Sequence, residues 1–567
     1  MDKKQITPQQ KLPIGKSDFS IVIEDNCYYI DKTIFIKEIT DAPPDVLLIP
    51  RPRRFGKTLN LSMLRYFYEK SEKDRKNLFK ELAICNEETF KLHQGRYPVI
   101  WMTFKDVKED DWKKCLENLK SVIYEEYARH RYLTDSHDLF PDEKTYIEKI
   151  LKGKASETDY SRALKNLSTY LCRFHKERVV ILIDEYDTPL HAGYTNGYYE
   201  KVVNFMRNFL SAGLKDNKDL FKGILTGILR VARESVFSGL NNIGVYTLLA
   251  EEFNTAFGFT EDEIKRLLKT YGISDRYDEV SYWYNGYLFG GKIIYNPWSV
   301  LSFIAGKGNK PLPYWINTGS TELIDHLATR GRRELREELG QLLEGETITK
   351  PVHENIVMRD MERRDDLLWS FMLFSGYLKV AEQTDHETCV LKIPNQEVRI
   401  IYRNLIRNWF DEKFESDKTE RLLKALENGE TEIFEELLAD MVEKVLSWHD
   451  TAGSEPEKFY HAFVLGLLVW MEGKYEIRSN RESGLGRYDV ALIPRNRSRQ
   501  GIIMEFKKVN VRKKETSGQA LELAVKQIEE KKYVTELETA GVQNILKLAI
   551  AFRGKELWVK EIKPSDP

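Results

Sequence analysis

Between residues 46 and 58 the chain reads Val46-Leu-Leu-Ile-Pro-Arg-Pro-Arg-Arg-Phe-Gly-Lys-Thr58. A short apolar run leads into a loop that ends in Gly56-Lys57-Thr58, and apolar residues at helical spacing follow. A phosphate-binding loop requires this order of strand, loop and helix, because loop N–H groups and a helix N-terminus must converge on one anion. Lys57 would then reach phosphate oxygens, and Thr58 would offer its hydroxyl to Mg²⁺.

The loop departs from the common pattern at its start. Arg51 stands where the first glycine of GxxxxGK[ST] is expected, and Pro52 has no N–H to donate. An ordinary strand-to-helix turn is therefore an alternative. The other loop residues, Arg53, Arg54 and Phe55, are predicted to bind the same ligand as Gly56, although the two arginines would equally suit an acidic neighbour.

A second apolar run, Val179 to Ile183, ends in Asp184-Glu185, 127 positions after Lys57. In P-loop ATPases a carboxylate at the end of a buried strand holds Mg²⁺ through water, and this is the predicted role of Asp184. Glu185 would polarise the attacking water. A helix-capping acid followed by a turn is the alternative for this segment alone. Together the two segments predict an ATP–Mg²⁺ site.

Polar and basic residues follow the next apolar run, Gly223 to Thr226. Thr226 is predicted to sense the γ-phosphate of ATP. Arg230 and Arg233 would supply positive charge to the transferring phosphate. The alternative is a helix N-terminus with solvated basic residues.

The chain has 567 residues, 42% of them hydrophobic and 31% charged, which fits roughly three or four soluble globular domains. Buried apolar runs separated by amphipathic stretches predict an α/β region over residues 1–250, with the parallel sheet of a P-loop NTPase. Residues 251–450 are predicted to be mostly helical, with an aromatic hairpin around Gly290-Gly291. A lid or partner-binding surface is the alternative for that aromatic segment.

The last region, residues 451–567, has a different order of elements. An amphipathic segment, three strand-like runs, a helix over 519–533 and a strand over 545–552 predict the order αβββαβ. From Glu457 to the end, 21 Lys and Arg accompany 15 Asp and Glu, whereas the whole chain has a formal net charge of -2. This excess of positive charge favours the last region as the part that contacts nucleic acid.

Two carboxylates and a lysine suggest a second centre in this region. Asp489 begins one strand, Glu505 ends the next, and Lys507 lies on the same strand face as Glu505. Such a set binds Mg²⁺ and orients a hydrolytic water, with Lys507 positioning the water or stabilising charge. Glu457 is the first choice for a further metal ligand, and Glu482 is the second. A turn residue and a solvated pair of side chains are the alternatives.

Two clusters of basic residues are predicted to lie in loops beside these carboxylates, where they would neutralise nucleic-acid phosphates. One cluster consists of Arg495, Arg497 and Arg499, and the other extends from Lys507 to Lys514. Solvated loops are the alternative.

Several motifs resemble the bacterial AAA-ATPase-like family, whose members usually have a C-terminal PD-(D/E)XK nuclease-superfamily domain. They are distributed along nearly the whole chain: Tyr29-Ile-Asp-Lys-Thr33, Pro50-Arg-Pro-Arg-Arg-Phe-Gly-Lys-Thr58, Ile183-Asp-Glu-Tyr-Asp187, Phe237-Ser-Gly-Leu-Asn-Asn242, Trp283-Tyr-Asn-Gly-Tyr287, Tyr295-Asn-Pro-Trp-Ser299, Ser375-Gly-Tyr-Leu378, Ile393-Pro-Asn-Gln-Glu-Val398 and the Asp489, Glu505, Lys507 set. The resemblance implies that the arginine–proline loop is usual. It also implies that Gln527 matches a recurrent glutamine of the nuclease superfamily, and that an arginine from a neighbouring subunit completes the ATP site of a homo-oligomer.

The five cysteines are odd in number and form no CxxC pair, which predicts reduced thiols in a cytosol and neither disulfides nor a structural zinc site. No signal peptide is visible, and no apolar run reaches the ~20 residues of a membrane helix. We therefore expect a cytoplasmic bacterial ATPase that controls a Mg²⁺-dependent nucleic-acid phosphodiesterase, in defence against foreign DNA. The alternative is a nucleotide-switched binding protein whose nuclease fold lacks turnover.

Overall fold

A computed structural model gives the structure of the chain. The residues that it describes are 10–230, 242–306, 310–315, 333–343, 345–356, 358–361, 364–385, 387–411, 416–447, 457–471, 473–483, 486–510, 514–531 and 533–563. The chain divides into two compact units, Met1–Ile324 with Thr349–Val398 and Asp325–Ile348 with Arg399–Pro567. Residues 251–450, which we predict as a region of their own, are thus divided between the two units.

The strands of the described residues are β1 (Val46–Pro50), β2 (Val99–Thr103), β3 (Val179–Asp184), β4 (Leu220–Gly227), β5 (Ile243–Val245), β6 (Phe259–Thr260), β7 (Tyr287–Phe289), β8 (Lys292–Tyr295), β9 (Ile348–Pro351), β10 (Lys379–Gln383), β11 (Thr388–Lys392), β12 (Tyr475–Ser483), β13 (Gly486–Pro494), β14 (Gly501–Lys508), β15 (Ile545–Arg553) and β16 (Glu556–Glu561).

The α-helices are α1 (Phe19–Glu24), α2 (Ile34–Asp41), α3 (Lys57–Tyr68), α4 (Glu88–His93), α5 (Trp112–Arg129), α6 (Pro141–Leu151), α7 (Glu157–His175), α8 (Thr188–Thr195), α9 (Tyr199–Leu214), α10 (Glu261–Thr270), α11 (Tyr277–Tyr284), α12 (Pro297–Ala305), α13 (Arg333–Leu343), α14 (Asp365–Phe374), α15 (Gln396–Asp411), α16 (Ser416–Asn428), α17 (Thr431–Ser447), α18 (Glu457–Leu468), α19 (Ser517–Glu530) and α20 (Thr535–Thr539). Short 3₁₀ helices occupy Lys76–Phe79, Ala83–Asn86, Arg131–Asp135, Ser274–Arg276, Met358–Asp360 and Val469–Met471.

The first unit is built on a five-stranded parallel sheet with the order β2-β3-β4-β1-β5. Every residue of β1 and β3 is buried, as continuous apolar runs in a parallel sheet require. The three apolar runs named above lie in β1, β3 and β4, and the predicted P-loop NTPase sheet is confirmed. In a parallel sheet the carboxyl ends of the strands meet at one edge, and the ends of β1, β3 and β4 lie side by side there.

The outer edge of β2 has side-chain partners from α5. Trp101 N donates to Glu126 Oε1 over 3.0 Å, and the Arg129 guanidinium donates to the carbonyl of Val99. These contacts satisfy polar groups that an edge strand would otherwise leave open to another chain.

Two small sheets complete the first unit. The predicted hairpin is present as β7 and β8, which pair antiparallel on either side of Gly290 and Gly291, and β6 pairs with β8. Both glycines have positive φ, as a tight turn between right-twisted strands requires. The other sheet has the order β10-β11-β9.

The second unit contains a five-stranded mixed sheet with the order β12-β13-β14-β15-β16. The strands β12, β13 and β14 are antiparallel neighbours, whereas β14 and β15 are parallel. Helix α18 packs on β14, and α19 packs on β14 and β15. The predicted order αβββαβ is therefore confirmed from α18 to β15.

Two elements of this unit escaped the sequence prediction. Helix α20 has only five residues, which is too short for a helical pattern to be recognised. Strand β16 lies at the edge of the sheet, where Glu556, Lys560 and Glu561 interrupt its apolar pattern. All five cysteines are free, and no helix in the described residues combines the length and apolar character that crossing a membrane requires.

Candidate functional site

The loop between β1 and α3 has the conformation that phosphate binding requires. Gly56 directly precedes α3 and has φ +88°, a left-handed conformation that residues with a Cβ rarely adopt. A Cβ at this position would meet no atom within 4 Å, so open space lies beside the turn. Arg51 N donates to Gly227 O over 3.0 Å and thereby ties the start of the loop to the end of β4. The loop thus presents the N-terminus of α3 to open space.

Asp184 joins two other predicted residues at the carboxyl edge of the sheet. The Thr58 hydroxyl donates to its Oδ2 and the Thr226 hydroxyl to its Oδ1, each over 2.6 Å. The carboxylate is fully buried. Burial and the neighbouring Glu185 carboxylate raise the pKa of Asp184, while the two hydroxyl groups and Lys57 act in the opposite direction. Residues that are far apart in the chain therefore form one buried polar cluster.

Lys57 lies between the loop and the end of β3. Its Nζ donates to the carbonyl oxygens of Arg51 and Pro52, over 3.0 and 3.2 Å, and lies 3.3 Å from Glu185 Oε1. Glu185 has φ +52°, a strained conformation for a residue that is not glycine. The strained residue is thus the one that directly follows β3, and it is the residue that the sequence predicts to polarise water.

A cavity of about 410 Å³ adjoins this cluster, within the size range of roughly 300–1,000 Å³ that small-ligand sites have. All five loop residues from Arg53 to Lys57 line it, as do Thr58, Glu185 and Thr188. Apolar and aromatic residues also line it: Pro13, Ile14, Tyr28, Tyr29, Ile30, Phe259, Trp298 and Leu301. The cavity therefore has both polar and apolar lining.

Arg51 stands where the common P-loop pattern has its first glycine, and its buried side chain stabilises the loop. Its guanidinium group donates to the carbonyls of Pro50, Tyr246 and Phe253, and lies 5.3 and 5.4 Å from the ring centres of Phe257 and Phe289. Burial lowers the pKa of Arg51 to about 9. The side chain is 1% exposed, so it holds the loop to the sheet and does not reach the cavity.

The aromatic hairpin supports the same loop. The Phe55 ring lies 4.9 Å from the Tyr287 ring and 5.1 Å from the Phe289 ring, and the residue is buried. Phe55 borders the cavity, but its ring is anchored in the hairpin. Arg54 has φ +67° and places its guanidinium 4.4 Å from the ring centre of Trp298. The favoured interpretation of β7 and β8 as a structural hairpin therefore agrees with these contacts.

Side chains beyond the hairpin hold the carbonyl of Arg53. Trp315 Nε1 donates to it over 3.3 Å and Asn296 Nδ2 over 3.5 Å. Glu397 in turn accepts hydrogen bonds from Trp315 N and from the Ser299 hydroxyl. The sequence analysis assigned no role to this network. Asn296, Ser299 and Glu397 lie in motifs that carry the family resemblance, but all members lie more than 200 positions from the loop, and no spacing links them to it.

Asp187 is a further buried carboxylate, to which the sequence analysis assigns no role of its own. Its Oδ2 accepts hydrogen bonds from Ile228 N and Leu229 N, over 2.8 and 2.9 Å, and lies 3.3 Å from His191 Nε2. Burial would raise the pKa of Asp187, but His191 and the two N–H groups together lower it. This residue therefore ties the end of β3 to the segment that follows Thr226.

The two arginines predicted after Thr226 have different outcomes. The carbonyl of Arg230 accepts a hydrogen bond from Ile356 N, and the residue is partly buried. Arg233 lies outside the described residues, as does most of the motif from Phe237 to Asn242.

The second predicted centre is assembled at one end of the β13–β14 pair. Phe506 N donates to Asp489 Oδ2 over 2.8 Å, and Asp489 N donates to Glu505 Oε2 over 3.4 Å. Lys507 Nζ lies 3.2 Å from Glu505 Oε1 and donates to the carbonyl of Phe506. Burial and the Asp489 charge raise the pKa of Glu505 to about 7, while Lys507 lowers it. The three predicted side chains therefore lie together.

The structure does not describe the side chains of the other two predicted metal ligands of this centre. The side chains of Glu457 and Glu482 lie outside the described part of the chain, although α18 and β12 include their backbones. Among the described side chains no group of three His, Cys, Asp or Glu could hold a metal ion. Tyr533 is a buried residue that sequence reasoning missed. Burial and then the charges of Glu505 and Asp489 raise the pKa of Tyr533 to about 12, while Gln527 acts in the opposite direction.

The prediction that both basic clusters lie beside the carboxylates is wrong for the first cluster. Arg495, Arg497 and Arg499 occupy the turn between β13 and β14, at the opposite end of the strand pair from Asp489 and Glu505. With about 3.3 Å per strand residue, this turn begins roughly 16 Å from Asp489. The Arg499 guanidinium pairs with Glu427, and Arg497 donates to the carbonyl of Pro494.

Comparisons with known proteins agree with these two centres. A family model described as "Predicted AAA-ATPase" matches residues 13–237, and one described as "PD-(D/E)XK nuclease superfamily" matches residues 455–562. The chain joins an AAA-ATPase-like region to a PD-(D/E)XK nuclease-superfamily region. The first match includes the loop, Asp184 and Thr226, and the second includes Asp489, Glu505 and Lys507.

A relative from Azotobacter chroococcum mcd 1, an "Uncharacterized protein in vnfD 5'region", is 27% identical over 325 residues. The aligned part covers 57% of this chain and 57% of the relative. The domain families are of ATPase and nuclease type, which is the level of function that the comparisons support.

Proposed function

We propose that the AAA-ATPase-like region binds and hydrolyses ATP with Mg²⁺, and that this controls a Mg²⁺-dependent nucleic-acid phosphodiesterase in the PD-(D/E)XK region. The observation that carries the proposal is the hydrogen-bonded cluster of Thr58, Asp184 and Thr226 beside the cavity of Gly56 and Lys57. This combination supplies a phosphate loop, a carboxylate for a metal and a polar group at one sheet edge.

The residues of the first site fit an ATP–Mg²⁺ ligand. The space beside Gly56 leaves room for phosphates, and Thr58 and Asp184 supply a hydroxyl and a carboxylate for Mg²⁺. Mg²⁺ would neutralise charge that develops on the phosphates. Lys57 would exchange its contacts with the loop carbonyls for phosphate oxygens, and Glu185 would orient the attacking water. Arg53, Arg54, Phe55 and Thr226 complete the proposed ATP-binding set.

The second site fits a metal-assisted hydrolytic centre. Asp489 and Glu505 bring two carboxylates together in a largely buried position, and Lys507 adds a positive group beside them. Mg²⁺ held by these carboxylates would polarise the scissile phosphate. Lys507 would position the hydrolytic water or stabilise the phosphate charge. Glu457 is the proposed third ligand.

Nucleic acid is the proposed partner of the PD-(D/E)XK region, because cleavage of a phosphodiester requires contact with its backbone. Lys507 and Lys514 follow the carboxylates along the chain and would bind phosphates there. We further propose a cytoplasmic protein that acts against foreign DNA and forms homo-oligomers.

A nucleotide-switched binding protein is the second candidate. It applies if Asp489 and Glu505, the two carboxylates that the described side chains bring together there, hold no metal. In this version ATP would regulate nucleic-acid binding, and the nuclease fold would have no turnover.

An assay of the purified full-length chain distinguishes the two candidates. ATP hydrolysis, nucleic-acid binding and cleavage are measured with single- and double-stranded DNA and RNA, with Mg²⁺ or with EDTA. We expect Mg²⁺-dependent ATP hydrolysis and Mg²⁺-dependent cleavage of at least one nucleic acid. Binding without cleavage on every substrate would support the second candidate. Absence of ATP hydrolysis together with nucleic-acid binding that ATP does not change would contradict both.

A further inference from the structure

The loop between β2 and α5 lies beside the proposed catalytic carboxylates, although no sequence motif points to it. Thr103, at the end of β2, pairs with Asp184 at the end of β3. Phe104 N donates to the carbonyl oxygen of Asp184 over 3.0 Å. The residue after Phe104 is therefore held next to the segment that contains Asp184 and Glu185.

The conformation of this loop separates its apolar from its charged residues. Phe104 and Val107 are buried in the core, and Val107 N donates to Phe104 O over 3.0 Å, which closes a turn. Lys105, Asp106 and Lys108 are exposed. Lys105 and Lys108 line the same cavity as Gly56, Lys57 and Glu185, whereas Asp106 is not among its described lining residues.

The side chains that line the cavity carry more positive than negative charge. Glu185 is the one carboxylate among the described lining residues, and it already pairs with Lys57. Two other lining lysines, Lys16 and Lys32, pair with Asp25 and Glu263 outside the cavity lining.

Lys105 and Lys108 differ from these paired lysines. The Lys105 ammonium group lies 4.0 Å from Asp106, at the limit of an ion pair between two exposed side chains. Within the described residues, no ion pair is recorded for Lys108. The side of the cavity next to Glu185 thus has positive charge available for an anion.

We propose that Lys105 and Lys108 bind the terminal phosphate of ATP from the side of Glu185. This inference rests on the proposed ATP-binding function and deepens it. The position is next to the residue that would orient water, and Lys57 Nζ from the loop lies 3.3 Å from the carboxylate of that same residue, Glu185. Two ammonium groups can move to a phosphate because their side chains are flexible and have weak partners. The positive charge at the terminal phosphate then comes from the chain itself, without an arginine from a neighbouring subunit.

The test compares ATP with ADP on the full-length chain, because only ATP has the terminal phosphate. Dissociation constants for Mg²⁺–ATPγS and Mg²⁺–ADP are measured by calorimetry for the wild type and for the double variant Lys105→Ala/Lys108→Ala. Lys113→Ala is the matched control, since Lys113 is an exposed lysine at the start of α5 and is not among the cavity's lining residues. Thermal unfolding confirms that each variant is folded.

We expect the double variant to bind ATPγS about tenfold more weakly, because each lysine loses a charge-assisted hydrogen bond. Its ADP affinity should change by less than about threefold, since neither lysine would contact the remaining phosphates. The variant Lys105→Arg/Lys108→Arg should retain most of the ATPγS affinity, and Lys113→Ala all of it.

An equal loss for ATPγS and ADP, or no loss for ATPγS, would overturn the role of the two lysines while leaving ATP binding intact. A wild type that binds neither nucleotide would instead refute the proposed function, and this inference with it.

Discussion

In the AAA-ATPase-like region the buried Asp184 carboxylate accepts hydrogen bonds from two hydroxyl groups, whereas in the PD-(D/E)XK region Glu505 lies beside a second carboxylate and an ammonium group. Both carboxyl groups are buried, and burial raises the pKa of each. Neutral donors satisfy the first one locally. Each also has a like charge nearby, Glu185 for Asp184 and Asp489 for Glu505. At Glu505 the opposing groups are the Lys507 ammonium and the Asp489 N–H group, in place of the two hydroxyl groups.

This difference indicates how each centre depends on its ligand. The chain's own hydrogen bonds hold the first site in a defined geometry before ATP binds. The second centre brings carboxylates together, which is unfavourable unless a cation is bound. We therefore expect substitutions in the first site to change nucleotide chemistry with little effect on folding, and metal to change the stability of the second.

The largest effect is expected for Glu185→Gln, which separates ATP binding from hydrolysis. Glutamine has nearly the same shape but cannot take a proton from water, so the rate of ATP hydrolysis should fall by about 10²–10⁴. ATP affinity should change little. Steady-state hydrolysis and calorimetry measure the two quantities, with Glu117→Gln, an exposed residue of α5, as the control. Unchanged hydrolysis would contradict the proposed role of Glu185 in orienting the attacking water.

The next effect concerns Lys57, whose partners are two loop carbonyls and Glu185. Lys57→Ala removes the group that would contact the phosphates, and ATP affinity should fall by about a hundredfold. Calorimetry of the full chain measures it, again against Lys113→Ala. If ATP affinity were unchanged, Lys57 would not contact the phosphates of ATP, and the first centre would not be the proposed ATP site.

The metal dependence of the PD-(D/E)XK region tests the second centre, that of Asp489 and Glu505. Mg²⁺ at about 100 times its Kd should stabilise this region by about 2.7 kcal/mol, measured as a shift in thermal unfolding. Asp489→Asn should lose both the shift and nucleic-acid cleavage, because a ligand is removed. Lys507→Ala should keep the shift and lose cleavage.

The control for this experiment is Glu529→Gln, an exposed residue of α19. It should behave as the wild type in both measurements. Equal shifts in the wild type and in Asp489→Asn would show that Mg²⁺ binds elsewhere.

The sequence predicted the residues that meet at strand ends, and it did so for a physical reason. Asp184, Thr226 and the loop before Lys57 each follow a continuous apolar run, and parallel strands bring such ends to one edge. Asp489 and Glu505 are likewise predictable, because both lie in recognisable neighbouring strands.

Contacts between distant segments had no such signal. The arrangement of Arg51 with Phe257 and Phe289 joins residues about 200 positions apart, and nothing in the local pattern announces it. The prediction for Arg495 failed because nearness in sequence to Asp489 was taken as nearness in space, whereas a strand separates the two.

The smallest expected effect concerns Glu397, a buried carboxyl group behind the ATP loop that offers a direct contrast with Glu505. Burial raises the pKa of Glu397 to about 7, while Trp315 N and the Ser299 hydroxyl lower it. Both glutamates therefore have a pKa near 7, but no second carboxylate contributes to the shift at Glu397.

Because the folded pKa of Glu397 exceeds the unfolded value, the folded state binds the proton more tightly. The stability from this group is fully present below about pH 4.5, falls as the pH rises towards 7, and is lost above it. Between pH 5 and pH 7 the free energy of unfolding of the wild type should fall by about 2 kcal/mol relative to Glu397→Gln, which cannot ionise.

Thermal and urea unfolding of the full chain at pH 5, 6, 7 and 8, with EDTA present, measures this difference. Glu382→Gln, with an exposed side chain, is the control and should follow the wild type at every pH. Adding Mg²⁺ should leave the Glu397 difference unchanged, because its carboxyl group is satisfied by neutral donors, while reducing any pH dependence that comes from Glu505. A constant difference between wild type and Glu397→Gln across the pH range would mean that Glu397 ionises normally, and the contrast between the two buried glutamates would then not hold.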